Sequence, residues 1–208
     1  MTPEDVEAFD RCVRDGGVAV FPADTVYGLA CDPDSGEAVA RLYALKGRRS
    51  DKPAAVMFFD RAAAHAALRD GGPRTEAAID ALLPGPLTLL LPNPSHRFPL
   101  ASGADPDTLG LRVPALHDAL APLVAMPRPV LQSSANLAGA PDARRIEEVP
   151  DEIRAGADLV LDGGELPGTP STVVDLRGYE DGGGWTVVRA GAVSDDELAL
   201  ALSPAGGI

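Results

Sequence analysis

Apolar positions change period several times along the chain, and each change marks an element. Val6, Phe9, Cys12 and Val13 recur at helical spacing and Gly16-Gly17 supplies a stop, which predicts a helix over residues 3–15. Gly17 to Phe21 is a short apolar run, read as a buried strand. Pro22 to Ala30 follows it with polar side chains set among apolar ones, where a site is commonly built. Val39, Leu42, Tyr43 and Leu45 predict a helix over 37–46 that carries Lys46 and Arg48 at its C-terminal end. Residues 54–59 read as a strand, and 60–68 and 75–83 as helices with Asp60 and Thr75 as N-caps, the second stopped by Pro84-Gly85-Pro86. Strands over 87–91 and 109–113 flank a loop with Pro and Gly, residues 92–107, that is long enough to be a lid. A helix over 116–124, a strand at 130–132, a polar loop at 133–139 and a strand at 159–161 come next. A hairpin of 172–176 with 185–189 around Asp181-Gly182-Gly183-Gly184 and a closing helix at 195–202 complete the pattern. Strands and helices are interspersed but hairpins break strict alternation. The expected fold is α+β: one mixed, twisted β-sheet flanked by helices, in a single domain over 1–208.

Composition removes several function classes. With 208 residues, 45% hydrophobic, the chain can bury a sizeable core. Eighteen Lys+Arg against 31 Asp+Glu leave a formal net charge of -13, which opposes the broad basic field that nucleic-acid binding needs. An anionic small ligand must therefore find a local cationic pocket. No segment approaches the ~18 continuous apolar residues of a membrane span, and the acidic N-terminus has no apolar signal core, so a cytoplasmic protein is expected. Cys12 and Cys31 lack metal-site spacing and read as reduced, buried thiols.

The familiar catalytic motifs are missing. Gly163-Gly164-Glu165-Leu166-Pro167-Gly168-Thr169 has the glycine spacing of a phosphate loop without its Lys, and there is no GxGxxG, HExxH or GxSxG. His65, His96 and His117 stand singly and support no triad. What remains is a set of cations, hydroxyls and amides: Lys46, Arg48, Lys52, Arg112, Ser134, Asn136, Ser171, Thr172 and Arg189. Arg grips phosphate or carboxylate at two oxygens, Lys adds a point charge, and Ser, Thr and Asn orient oxygens.

Several ordered blocks resemble one family, the YrdC family of L-threonylcarbamoyl-adenylate synthases. Phe21-Pro22-Ala23-Asp24-Thr25-Val26-Tyr27-Gly28-Leu29 is similar to its signature, Lys46-Gly47-Arg48 to its Lys-x-Arg element and Ser134-Ala135-Asn136 to its Ser-x-Asn element. Pro84-Gly85-Pro86-Leu87-Thr88, Leu111-Arg112-Val113-Pro114, Ser171-Thr172-Val173-Val174-Asp175 and Val188-Arg189-Ala190-Gly191 follow in the same order, so the likeness covers residues 14–200. It implies a three-layer YrdC/RibB-like fold and a reaction of L-threonine, bicarbonate and ATP to threonylcarbamoyl-AMP and pyrophosphate. The product would go to a separate tRNA threonylcarbamoyl transferase complex, with no stable tRNA binding by this chain. The ending at Ile208 resembles the family's short form.

Carried over by position, the resemblance gives Lys46, Arg48, Ser134 and Asn136 as catalytic elements. It places Arg48, Lys52, Thr108, Ser134, Asp142 and Arg189 at ATP, and Thr25, Arg112, Gln132 and Ser171 at L-threonine. Arg112 is assigned the threonine carboxylate because a planar fork matches both oxygens. Tyr27 and Asp24 carry two readings each, a packed ring and a loop hydrogen bond on one side and ligand contact on the other. Mg2+ is expected to arrive with ATP, since no carboxylate cluster has ligand spacing. Three positions depart from the family: Ala23 replaces a Thr of the signature, Met57 stands where longer members have a His near threonine, and Asp142 holds a Ser/Thr position near ATP. A carbamoyl-adenylate-forming relative and a noncatalytic RNA- or nucleotide-binding paralogue are the competing readings. The intact Lys-x-Arg and Ser-x-Asn elements and the acidic charge weigh against the second.

Overall fold

The computed structural model describes residues 1–49, 51–68 and 71–203. Helix α1 (Pro3–Arg14) begins on Thr2, whose hydroxyl accepts the Asp5 N–H while the Asp5 carboxylate accepts the Thr2 N–H. Two donors that the first turn would leave unpaired are thereby satisfied. The helix buries Val6, Phe9 and Val13. Phe9 stacks on Phe21 with ring centroids 5.0 Å apart and meets the Phe59 ring edge-on at 6.0 Å, so one aromatic cluster ties the helix to the sheet.

Strands β1 (Ala19–Pro22) and β2 (Tyr27–Cys31) form an antiparallel pair around residues 23–26. Helix α2 (Gly36–Leu45), strand β3 (Ala55–Met57) and helices α3 (Arg61–Ala67) and α4 (Pro73–Leu82) follow. Then come β4 (Leu87–Pro92), the short α5 (Pro99–Ser102), β5 (Thr108–Arg112) and β6 (Val130–Ser134). Helix α6 (Asp151–Gly156), strands β7 (Leu159–Val160), β8 (Thr172–Asp175) and β9 (Thr186–Arg189), and helix α7 (Asp195–Ala201) close the chain. The nine strands of the described residues join one sheet in the order β7-β1-β2-β6-β3-β5-β4-β8-β9. Three parallel pairs (β1/β7, β3/β5, β4/β8) are set among five antiparallel ones, which is the mixed sheet expected from the interrupted alternation.

Alternation along the strands sorts the two faces. On β4 and β5, Leu87, Leu89, Leu91, Leu109 and Leu111 are buried in the core, while Thr88 and Leu90, and Thr108, Gly110 and Arg112, point to the opposite face and line a cavity. Pairing then ranks these positions. Gln132, Ala55, Gly110 and Leu90 are successive register partners, and Met57, Arg112, Thr88, Val173 and Arg189 lie one step further along. Ser134 and Thr108 lie a step in the other direction. At about 3.3 Å per residue, Thr108 and Arg112 are roughly 13 Å apart along the strand, and they mark the two ends of that face.

Several boundaries differ from the sequence reading. Residues 27–31, read as a site segment, form β2; both its neighbours are strands, and burial on both faces hides the period. Gly28 is required there by close approach, since a Cβ would lie 2.9 Å from Gln132 Nε2 and 3.0 Å from the Phe21 ring. Thr75 is not an N-cap: α4 starts two residues earlier, at Pro73 after Gly72, and Thr75 is buried within it. The helix expected at 116–124 is a 3-10 helix, Asp118–Ala125, because Pro122 has no N–H to donate to an α-helical partner. Residues 133–134 extend β6 rather than opening the loop. Among the described residues, no helix is long and apolar enough to cross a membrane.

Candidate active site

The polar face described above is the floor of a cavity of about 370 Å³, within the range usual for small-ligand sites. Arg112 stands at one end on β5 and is buried, 4% exposed. Its Nη2 donates to Asp24 Oδ1 at 2.7 Å and to Thr25 Oγ1 at 3.4 Å, and its Nη1 donates to Gln132 Oε1 at 3.2 Å. The β1–β2 turn and β6 thus converge on one guanidinium. Asp24 also accepts the Ala115 N–H at 3.1 Å. Burial, the larger effect, pushes its carboxyl above the ordinary value although Arg112 and the Ala115 amide pull it down. Desolvation lowers the Arg112 guanidinium in turn, without bringing it near deprotonation. Arg112 Nε has no hydrogen-bond partner among the described residues.

Ser171 sits beside this end. Its Oγ lies 3.0 Å from Thr88 Oγ1, and Arg189 Nη2 donates to the Ser171 carbonyl at 2.7 Å and to its hydroxyl at 3.1 Å. Arg189, assigned by resemblance to ATP, therefore touches a residue assigned to threonine; its register partner is Val173, two residues beyond Ser171.

The other end is built differently. Arg48 Nη1 donates to Ser133 Oγ at 3.0 Å and Nη2 to the Pro53 carbonyl at 2.7 Å, with the guanidinium 5.8 Å from the Tyr43 ring centroid. Ser134 Oγ donates to Asn136 Oδ1 at 2.6 Å. Lys46 Nζ donates to the same Oδ1 at 2.9 Å, to the Asn136 carbonyl at 2.8 Å and to the Ser134 carbonyl. One buried ammonium therefore fixes the turn that presents Ser134. Burial, then the nearby Arg48, pushes Lys46 down to about 8. Thr108 Oγ1 donates to Asp105 Oδ2 at 2.7 Å and accepts from Arg177 Nη1 at 3.2 Å, while Arg177 grips Asp175 with Nε and Nη2.

The structure brings Thr25, Arg48, Thr108, Arg112 and Gln132 into this cavity lining together with Ser134, Asp142, Ser171 and Arg189. It does not bring Lys46, Lys52 or Asn136 there: Lys46 and Asn136 are buried behind Ser134, and Lys52 is exposed, its carbonyl taking the Tyr43 hydroxyl. Ala23 and Met57 are fully buried outside the lining, Met57 as the register partner of Arg112. Neither Tyr27 nor Asp24, the signature residues with two readings, stands in the lining. The Tyr27 ring is fully buried and its hydroxyl ties down the 162–164 loop through Asp162 Oδ1 and the Gly163 N–H, and Asp24 accepts the Ala115 N–H and pairs with Arg112, the loop hydrogen bond of the first reading. Sequence reasoning missed Ser102, Asp105 and Arg177, which also line the cavity; Ser102 ends the four-residue α5, Asp105 precedes β5 and Arg177 follows β8, where no periodicity marks them. Cys31 is buried and Cys12 half-buried, and burial raises both thiols, to about 12 and about 11.

The family described as telomere recombination, Sua5/YciO/YrdC, matches residues 11–191. The threonylcarbamoyl-AMP synthase of Pyrococcus abyssi is 32% identical over 187 residues, covering 89% of this chain and 54% of that protein. Its namesake from Pseudomonas fluorescens strain Pf0-1 is 36% identical over 176 residues, covering 82% and 92%. The chain spans about half the length of the P. abyssi and Bacillus subtilis relatives. Among solved structures, P. abyssi Sua5 complexed with L-threonine superposes with a TM-score of 0.84 at 26% identity, over 98% of this chain and 58% of that one. Escherichia coli YciO gives 0.79 at 25% identity, over 95% and 94%. With the family model matching residues 11–191 and the fold superposing on solved members, this chain belongs to the Sua5/YciO/YrdC family.

Proposed function

We propose that the protein is a threonylcarbamoyl-AMP synthase, joining L-threonine, bicarbonate and Mg·ATP to give threonylcarbamoyl-AMP and pyrophosphate. The observation that carries this reading is a single cavity with Arg112 at one end and Arg48, Ser134 and Thr108 at the other, an arrangement that suits a carboxylate at the first and phosphate at the second. Curated relatives bearing that activity, and the L-threonine held by P. abyssi Sua5, support it.

In this reading the threonine carboxylate docks on Arg112, where the unpaired Nε–H supplies a donor, with Thr25, Gln132 and Ser171 around it. The amine takes up bicarbonate as a carbamate with loss of water. A carbamate oxygen then attacks the α-phosphorus and pyrophosphate leaves. Nothing here requires a protein nucleophile; the work is to hold two anions in line and to stabilise charge on phosphate oxygens, which suits guanidinium and hydroxyl groups. Lys46 and Asn136 act by fixing the Ser134 turn. Mg2+ enters on the triphosphate as part of the substrate. The product is consumed in the cytoplasm by a tRNA-modifying transferase that takes the threonylcarbamoyl group from AMP.

The test is pyrophosphate release by purified protein with ATP and bicarbonate, comparing L-threonine, L-serine and no amino acid, with mass detection of the adenylate. Threonine-dependent release and a threonylcarbamoyl-AMP mass are expected. Release that ignores threonine, or none from folded protein, would reject the proposal.

A further inference from the structure

Among the described residues, two buried side-chain polar atoms have no hydrogen-bond partner, Arg112 Nε and Ser102 Oγ, and both residues line the same cavity. A hydroxyl held out of water without a partner is costly, so such atoms in a cavity wall mark where a ligand completes the bonding. Arg112 already has an anion assigned to it. Ser102, 2% exposed at the end of α5, has none.

Its place in the fold says which end it serves. The Ala101 carbonyl takes the Ala54 N–H at 2.8 Å, so α5 is pinned to the segment that leads into β3. Gly103 follows with a φ of 62°, and a Cβ there would lie 2.6 Å from the Asp51 carbonyl oxygen and 2.9 Å from Pro53 N. The backbone is thus pressed onto residues 51–53, and the Pro53 carbonyl is the acceptor of Arg48. The Ser102 hydroxyl accordingly belongs to the Arg48 and Thr108 end, away from Arg112.

We propose that Ser102 Oγ is a further nucleotide-binding group, donating its hydrogen bond to bound ATP. The inference rests on the synthase reading above for the identity of the nucleotide. Ser102→Ala removes an unpartnered hydroxyl from the free protein and a donor from the complex. It should therefore melt no lower than the wild type without ligand, bind ATP about threefold to tenfold more weakly, and show a smaller ATP-induced rise in Tm. Affinity for L-threonine should be unchanged.

The experiment is titration calorimetry of wild type and Ser102→Ala with Mg·ATP and with L-threonine, alongside thermal melts. Equal ATP affinity in the two proteins would overturn the inference, as expected if a bound water satisfies the hydroxyl. So would a loss confined to L-threonine, or a lower ligand-free Tm with ATP binding intact, which would make Ser102 a packing residue. A wild type that fails to bind ATP would instead sink the nucleotide reading, and this inference with it.

Discussion

At the scale of single residues, Arg112 and Lys46 do opposite kinds of work. Arg112 is buried with a counter-ion yet keeps a donor unspent. Arg112→Ala should raise the KM for threonine roughly tenfold to a hundredfold, the worth of a charge-assisted pair, with much less effect on the KM for ATP. Steady-state kinetics with each substrate varied checks this; an unchanged threonine KM would remove the carboxylate assignment. Asp24→Ala leaves that guanidinium buried without its partner and should destabilise the fold by about 3–5 kcal/mol in urea unfolding. Lys46 spends its hydrogens on the Ser134–Asn136 turn. Burial lowers it from 10.5 to about 8, so between these values the unfolded chain binds a proton that the native one has released. The stability that Lys46 contributes, read as the difference in unfolding between the wild type and Lys46→Met, should therefore climb as pH rises from about 8 towards 10.5, by at most ~3 kcal/mol, while the raised Cys12 and Cys31 thiols lower the stability of both proteins above about pH 9. The resemblance picked out both cations, but the Asp24–Arg112 pair spans 88 residues and only the topology brings it together.

At the scale of elements, period was the most legible feature wherever a strand has one wet face. The reading of 109–113 as a strand falls one residue from the observed Thr108–Arg112, whose alternate positions face the cavity. Residues 27–31 are buried throughout and offered no alternation to read. The 3-10 segment at 118–125 has apolar spacing that passes for an α-helix, and Pro122 alone argues otherwise. Two substitutions test how elements hold the site. Gly28→Ala places a methyl against Gln132 and the Phe21 ring and should cost about 1–3 kcal/mol by overpacking, with threonine binding weakened because Gln132 must move. Thr2→Ala removes the cap of α1 and should cost about 1 kcal/mol while leaving both KM values alone. Chemical denaturation paired with kinetics separates the two outcomes.

Across the whole molecule, charge and site point in different directions. The net charge is -13, yet the cavity wall carries Arg48, Arg112, Arg177 and Arg189. Attraction for a polyanion is thus local, and long nucleic acids meet a repelling surface. Filter binding at about 0.15 M salt, where charges beyond about 8 Å are screened, should detect no tight tRNA complex; submicromolar binding would contradict this. That expectation rests on composition. Composition could not disclose Ser102, Asp105 or Arg177, because their relevance arises only when segments distant in sequence close around one sheet face.

The distance between the two ends of the cavity is set by backbone, since Thr108 and Arg112 are four residues apart on one strand. That strand works as a ruler with fixed graduations. Exchanging a side chain changes what a mark grips, whereas inserting or deleting one residue between 108 and 112 shifts the scale by about 3.3 Å and turns every later mark to the wrong face. This stretch can therefore tolerate substitutions in its leucines far better than any change in its length.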